Sequence, residues 1–273
     1  MKIFQNIFLF SFFITSSVFA QNSFDHQAFD SLLQLYVNEE GLVNYQAIKQ
    51  EQLLTIYLKQ IESLNHQEFE SWDRAEKMAF WINAYNAITI EGIARNYPIK
   101  YGNLMARVRF PQNSIRQIGN FWDTVFIKVM GKEITLNQIE HEILRKEFAD
   151  ARIHAVLVCA ALGCPLLENK AFFPHNLDER LDQANVNFIN NPDKVKLDTE
   201  KNVLYLSSIL DWYHDDFEVS QQNEEILHRY DSKYRGVIDF ILTYLPQEKR
   251  EYIEKNSPKL QFLDYDWTLN EQL

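Results

Sequence analysis

The sequence predicts a helix-rich α+β fold in one domain, with a small mixed or antiparallel sheet and two β-hairpins. Several segments carry apolar residues at helical spacing, and two pairs of short alternating segments flank turn residues. No low-complexity run, internal repeat or Pro/Ser-rich linker divides the chain. With 273 residues, seven Gly and seven Pro, the chain is long enough to bury a large core as one unit.

The helices follow from periodicity and capping. The clearest is Arg74–Asn96, which starts with a capping-box pattern at Asp73 and Glu76 and is apolar on nearly every face. We therefore expect it to be a central, buried helix. The other helices are predicted at residues 24–36, 53–64, 136–148, 177–190, 208–217 and 237–245.

The strands are shorter and less regular. One hairpin is predicted at 121–134 around Gly131, and a second at 194–206 around the polar turn 198–202. The β-branched and apolar run Ile153–Val158 favours a buried strand, although periodicity alone does not distinguish it from a helix. Residues 99–120 are predicted to form an irregular loop that carries Arg107, Arg109 and Arg116.

The first twenty residues are typical of a secretory signal peptide. A positive start at Met1-Lys2 precedes a short apolar run, and Val18-Phe19-Ala20 is a small-residue exit for cleavage. The mature domain is then residues 21–273, exported to the periplasm or the extracellular space. No later stretch approaches about 20 uninterrupted apolar residues, so no membrane anchor is predicted.

The formal net charge of −11 disfavours some partners. The acidic residues are scattered, and such a surface argues against a nucleic acid or an anionic membrane surface as ligand. No cofactor motif is present, so no cofactor is predicted. The remaining partner class is a small molecule or a peptide.

One short segment concentrates reactive side chains: Arg152–Leu167 contains His154, Cys159 and Cys164. If Ile153–Val158 is a strand, alternation places His154 and Cys159 on opposite faces. Cys164 then follows a turn, and Pro165 suits the first position of a new helix. A thiol at a helix N-terminus has a lowered pKa and is a competent nucleophile. A histidine opening a buried strand is also how papain-like enzymes carry their base, so a papain-like arrangement is one expectation.

Three other interpretations of the cysteines remain open. Export favours a Cys159–Cys164 disulfide, which a continuous helix would forbid but a turn would allow. Both could instead be inert buried thiols. A metal site is the weakest interpretation, because neither C-x₂-C nor H-E-x-x-H spacing occurs, and we predict none.

The central helix carries two amides on one face, Asn83 and Asn86. A buried amide without a partner costs about 1–3 kcal/mol, so both must bind backbone, a side-chain network or a ligand. We expect a structural network or an oxyanion donor. The neighbouring Trp81 and Tyr85 are candidate substrate-binding residues.

A carboxylate, Glu140, lies between two apolar positions of the predicted helix 136–148. It needs a partner there, and two are considered: an ion pair with an arginine, or His154, which Glu140 would orient.

Five ordered motifs resemble the bacterial members of the family called domain of unknown function 547. The resemblance extends from about residue 28 to residue 270 and implies a single domain, but it implies no activity. A further opening match is GLVNY at 41–45. The five motifs are AFWINAYNA (79–87), LNQIEHEILR (136–145), the segment 152–166, WYHDDF (212–217) and YDWTLN (265–270).

Together these features predict a thiol-dependent hydrolase or acyltransferase acting on an amide or thioester. Cys164, or alternatively Cys159, is the predicted nucleophile and His154 the base, with Glu140 or the two helix amides in support. The rival prediction is a non-catalytic binding or assembly module with a structural disulfide.

Overall fold

A computed structural model of the chain describes residues 23–220 and 224–272. The predicted signal peptide, residues 1–20, lies outside the described residues. The described chain is a helix-rich α+β structure with two small sheets, which confirms the predicted fold class. None of the helices in these two ranges is long and apolar enough to cross a membrane.

Thirteen α-helices can be numbered along the described chain, and a π-helix follows α8 directly at Ile139–Phe148. Short 3₁₀ turns connect several of them. The α-helices are α1 Gln27–Tyr36, α2 Tyr45–Ile48, α3 Leu53–Ser63, α4 His66–Ser71, α5 Arg74–Asn96, α6 Leu104–Arg109, α7 Phe121–Thr124, α8 Leu136–Gln138, α9 Leu177–Asn190, α10 Ser208–Trp212, α11 Glu224–Leu227, α12 Arg235–Tyr244 and α13 Gln247–Asn256.

Both predicted hairpins form, and the second has a third strand beside it. The prediction was wrong at residues 121–124, which form helix α7 and not the start of the first hairpin. The strands are β1 Phe126–Val129, β2 Lys132–Thr135, β3 Val195–Asp198, β4 Val203–Leu206 and β5 Lys259–Phe262. The pair β1–β2 is antiparallel, as is β3–β4, whereas β5 joins β4 in parallel register. The sequence did not predict β5, because its alternating burial is weak and its partner lies more than fifty residues away.

Helix α5 lies at the centre of the core, as predicted. The Asp73–Glu76 capping box is present, and buried residues occupy every face from Met78 to Ala94. Helices α2 and α3 and the π-helix pack around it. A helix buried on all sides has no solvent-facing stripe, which explains its continuous apolar pattern.

The predicted strand at Ile153–Val158 is wrong. The chain forms a 3₁₀ turn at Ala151–Ala155 and then continues without a strand partner. The backbone groups that a ladder would use are bound by the buried side chain of Asn86. Its Nδ2 donates to the carbonyl of Val156 (2.9 Å), and the N–H of Val158 donates to its Oδ1 (3.0 Å). One amide thus replaces the strand partner.

The segment after Cys164 also departs from prediction, because no helix begins at Pro165. The loop instead pairs with the C-terminal tail. The N–H of Leu162 donates to the carbonyl of Thr268, and that of Gly163 donates to the carbonyl of Asp266, both at 2.8 Å. A Cβ on Gly163 would lie 2.8 Å from the Tyr265 ring, so glycine permits this close approach. The argument from a helix N-terminus therefore does not apply to Cys164.

The loop predicted at residues 99–120 is less irregular than expected. It contains α6 and a 3₁₀ turn at Ile115–Gln117. Asn103 caps α6 by accepting the N–H of Ala106 (2.9 Å). The helix is too short for periodicity to reveal from the sequence.

Candidate functional site

Cys159 and Cys164 are joined in a disulfide, with their Cα atoms 6.2 Å apart. A turn in which the N–H of Cys164 donates to the carbonyl of Ala161 (3.0 Å) folds the chain back between them. This turn brings two residues five positions apart within bridging reach. The bridge predicted by one of the four interpretations is therefore present, and no free cysteine occurs in the described residues.

The disulfide forms part of the wall of a cleft of about 90 Å³. The cleft combines aromatic rings with a carboxylate, an imidazole and the two sulfurs. It is lined by Tyr85, Trp122, Glu140, His154, Leu157, Cys159, Cys164, Ile209, Trp212, Tyr213, Tyr265 and Trp267.

Tyr265 holds both sulfurs from the C-terminal tail. Its hydroxyl lies 3.0 Å from Cys159 Sγ and donates to Cys164 Sγ at 3.0 Å. The backbone N–H of Cys159 also donates to Cys164 Sγ, at 2.9 Å. Cys164 is 4% exposed, whereas Cys159 is partly exposed. Two donors therefore converge on the sulfur of the more buried cysteine, Cys164.

His154 is paired with Asp216 and not with Glu140. Its Nε2 lies 2.7 Å from Asp216 Oδ2, and its ring stacks on Tyr213 with centroids 4.2 Å apart. Asp216 also accepts two hydrogen bonds from Arg145, at 2.6 and 2.8 Å. Burial acts to raise the pKa of Asp216, but the hydrogen bonds from His154 and Arg145 outweigh it and hold the pKa well below its usual range.

Glu140 is bound by two tyrosines, so both partners considered from the sequence are wrong. The hydroxyl of Tyr85 donates to Oε2 (2.9 Å), and that of Tyr213 donates to Oε1 (2.5 Å). Burial and then the negative charge of Glu140 raise the pKa of each tyrosine, so both stay protonated as donors. Arg145, the arginine closest to Glu140 in the sequence, binds Asp216 instead.

The π-helix contributes to the contacts of two carboxylates, Glu140 and Asp216. Its wider turn presents Glu140 to the tyrosines and Arg145 to Asp216. His141 also approaches Arg145, with Nδ1 2.7 Å from the guanidinium. Irregular helical turns of this kind are rare and frequently occur at functional sites.

Three of the predicted substrate-binding or oxyanion residues lie elsewhere. Asn86 binds Val156 and Val158, and Asn83 makes a similar pair of bonds with the backbone of Phe172, at 2.7 and 2.9 Å. Trp81 packs against Phe80 in a separate aromatic cluster. The cleft is lined by Tyr85 but by none of these three. The structural network expected for the two amides accounts for both.

The residues that sequence reasoning left out of the site come mostly from two aromatic motifs. Tyr213 and Asp216 belong to WYHDDF, and Tyr265 and Trp267 belong to YDWTLN. The density of Trp and Tyr in these motifs was the available signal. The sequence could not show that these motifs lie close in space to residues 140–164.

Comparison with known proteins bears on this cleft. Residues 69–189 match the family model described as Protein of unknown function, DUF547. The DUF547 match contains α5, the π-helix and both cysteines, and it supports the resemblance seen in the sequence motifs. The tail motif that supplies Tyr265 lies outside the matched DUF547 segment. No curated protein and no solved structure matches the chain.

A second, larger cavity of about 760 Å³ shares Cys164 and Tyr265 with the cleft. Lys194 lines it, 7% exposed, and donates from Nζ to the carbonyl of Leu162 at 2.6 Å. Burial lowers the pKa of Lys194 to about 8, although Asp193 and Asp266 oppose the effect. No group of three or more His, Cys, Asp or Glu suited to a metal occurs in the described parts of the chain.

Lys194 should make stability depend on pH in the alkaline range. Its folded-state pKa lies below the ordinary 10.5, so the folded protein loses the proton first and stability rises as pH increases between about 8 and 10.5. From pH 8 to 9, the wild type should gain about 1 kcal/mol relative to Lys194→Met in urea unfolding. The exposed Lys196→Met is the control, which should show no such gain. Parallel curves for wild type and Lys194→Met would contradict the prediction.

Proposed function

We propose that the cleft is the active site of a thiol-dependent hydrolase or acyltransferase that acts on an amide or a thioester. The nucleophile is Cys164, and it becomes available when the disulfide is reduced. The observation that carries this proposal is the pair of donors on Cys164 Sγ, the N–H of Cys159 and the hydroxyl of Tyr265. Hydrogen bonds to the charged form lower a thiol pKa and favour the thiolate.

The opening step is a thiol–disulfide exchange with a dithiol reductant. One thiolate of the reductant attacks Cys159 Sγ, the S–S bond breaks, and Cys164 leaves as thiolate. The second thiol of the reductant then displaces Cys159. The reductant leaves as a disulfide, and the protein retains two thiols. Cys159 is the more exposed of the two cysteines, which favours attack on that side.

In the acyl step Nδ1 of His154 takes the proton of the Cys164 thiol, and the resulting thiolate forms an S–C bond with the substrate carbonyl carbon. The C–N or C–S bond of the substrate then breaks, and the leaving group takes a proton from His154. Asp216 binds Nε2 of His154, so Nδ1 is the atom that carries this proton. Water or an acceptor nucleophile then takes the acyl group and restores the thiol. Asp216 orients the imidazole, as the acidic member of a catalytic triad does.

A binding or assembly module with a permanent bridge is the second candidate function. The aromatic lining favours it, because Trp212, Tyr265 and Trp267 present adjacent rings with centroids 4.5–6.0 Å apart. Such a wall suits a small ring-bearing ligand or a peptide. In this alternative the disulfide only fixes the loop against the tail.

Single cysteine variants distinguish the two functions. Cys159→Ser leaves Cys164 free, and Cys164→Ser leaves Cys159 free, so each tests one sulfur without a reductant. We expect Cys159→Ser to react fast with iodoacetamide at neutral pH and to hydrolyse a chromogenic acyl thioester, and the wild type to do so only after dithiothreitol treatment. Adding His154→Ala to Cys159→Ser should lower the hydrolysis rate by about a hundredfold or more, since proton transfer is lost.

Exposed His175→Ala is the matched histidine control and should leave the rate unchanged. Slow alkylation of both single-cysteine variants, together with no thioester hydrolysis by the reduced wild type, would exclude the enzyme and leave the binding module.

We also propose that the protein is exported and that the signal peptide is removed after Ala20. The pattern of residues 1–20 and the disulfide both support this, since disulfides persist in oxidising compartments. Intact mass of the protein recovered from a secreting host should correspond to a chain starting at Gln21 and two hydrogens lighter than the dithiol. A chain that keeps Met1 would contradict export.

A further inference from the structure

One segment of the sequence, residues 92–122, differs in charge from the rest of the chain, where acidic residues are scattered. Residues 92–122 contain no Asp or Glu, in a chain of net charge −11. The same stretch carries five basic residues: Arg95, Lys100, Arg107, Arg109 and Arg116. Overall net charge predicts repulsion from anionic surfaces, but this segment is positive even though Arg95 is paired with Glu91 just before it.

The same segment exposes large apolar side chains. Leu104, Met105 and Val108 on α6 are 73%, 62% and 78% exposed, and Tyr101 just before the helix is 50% exposed. These four lie within eight residues, which is a denser group than any other among the large exposed apolar residues of the described chain. Grouped exposed apolar side chains usually mark an interaction site.

The helix is held firmly with this apolar face outward. Buried Ala106 turns toward the protein. The amide of Gln117, itself buried, donates to the carbonyls of Ala106, Phe110 and Pro111 at 3.2, 3.1 and 2.9 Å. The two hydrogens of this one buried amide nitrogen are shared among three carbonyls and fix the loop, so the exposure of Leu104, Met105 and Val108 is a built feature of the fold.

We propose that α6 and Tyr101 dock the protein onto the surface of an anionic phospholipid bilayer. The apolar side chains enter the boundary between headgroups and acyl chains, and Lys100, Arg107 and Arg109 meet the lipid phosphates. The patch is exposed and has cations beside it in the sequence, which matches a lipid surface in polarity and charge. This docking is peripheral and involves no spanning segment.

The proposed surface adjoins the cleft. Arg116 lies over the rings of Phe110, Trp122 and Trp267, at 4.9, 5.8 and 5.0 Å from their centroids. Trp122 and Trp267 line the cleft. Docking therefore places the cleft near the lipid surface, whatever chemistry the cleft performs. The proposal does not depend on the thiol mechanism.

Vesicle co-sedimentation of the mature protein tests the proposal. We expect binding to phosphatidylcholine vesicles that contain a third of phosphatidylglycerol, and weaker binding in high salt. The double variant Arg107→Gln/Arg109→Gln should bind about thirtyfold more weakly. The triple variant Leu104→Ser/Met105→Ser/Val108→Ser should lose binding, because the apolar insertion is removed.

Leu35→Ser/Ile56→Ser is the control, since it removes exposed apolar residues from other helices and should bind like wild type. All substitutions are on exposed side chains, and unchanged circular dichroism would verify folding. Failure of the wild type to bind, or equal binding by the α6 variants, would overturn the proposal. A different result would be that the wild type does not bind vesicles and is a dimer in solution, whereas the triple variant is a monomer. In that case α6 is a self-association surface, and the proposal is also overturned.

Discussion

Gly236→Ala should destabilise the folded protein by about 3 kcal/mol or more, which is large for so small a change. A Cβ at Gly236 would lie 1.7 Å from the carbonyl oxygen of Phe217. That atom is backbone and cannot rotate away. Helix propensity alone predicts the opposite sign, because Gly236 lies in the first turn of α12, where alanine is normally favoured by about 1 kcal/mol.

The measurement is urea unfolding of Gly236→Ala beside Gly119→Ala. A Cβ at Gly119 meets nothing within 4 Å, so that variant should stay within about 0.5 kcal/mol of wild type. The contact at Gly236 also supports the cleft, because Phe217 follows Asp216 and its ring lies 5.8 Å from that of His154. A Gly236→Ala protein as stable as wild type would show that α12 does not approach Phe217 as closely as described.

Asp216→Ala should destabilise the protein by about 2–4 kcal/mol. The substitution leaves the Arg145 guanidinium and His154 without their shared acceptor in a partly buried position. Removing one partner of such a pair costs more than the pair contributes, because the remaining charge stays desolvated. The partial exposure of Asp216 keeps the expected cost below that of a fully buried pair.

The adjacent Asp215→Ala is the matched control. The Asp215 side chain is 87% exposed and forms an ion pair with His214 at 3.3 Å. Because that carboxylate is almost fully solvated, its loss should change the unfolding free energy by less than about 0.5 kcal/mol. Similar losses from both variants would contradict the assignment of Asp216 as the shared acceptor.

Low pH gives a second readout for Asp216. Its folded-state pKa is lowered, so its contribution is complete above the ordinary carboxyl pKa and is lost as pH falls from there through the lowered value. The stability difference between wild type and Asp216→Asn should therefore be constant near neutral pH and shrink below about pH 4.

Local sequence signals predicted α5 well, and they failed where a distant side chain replaced a backbone partner. The capping box and the apolar residues of α5 lie within one continuous segment, so the sequence contains the full signal. The run at Ile153–Val158 has strand composition, but a strand also needs a neighbouring strand to bind its backbone groups. Asn86, far away in sequence, binds those groups instead. The composition of a segment cannot reveal that a distant side chain takes the place of a neighbouring strand.

In the cleft, too, the sequence predicted individual residues but not their distant partners. Glu140, His154 and both cysteines were predicted from their own surroundings, and three of these four were also assigned to one segment. The partners were not predictable, because Tyr85, Tyr213 and Asp216 lie 55, 73 and 62 residues from the groups they bind. No periodicity or spacing rule extends over such distances.

The sequence by itself determined the helix-rich α+β class, the central helix, both hairpins and the segment in which the reactive side chains occur. These depend on residue periodicity, capping and turn residues, which act over a few positions. Only the tertiary structure decided that Cys159 and Cys164 are bridged, that His154 pairs with Asp216, and that Glu140 is held by two tyrosines. Those choices depend on which distant polar groups meet when the core closes, since each buried group takes the partner that packing brings to it.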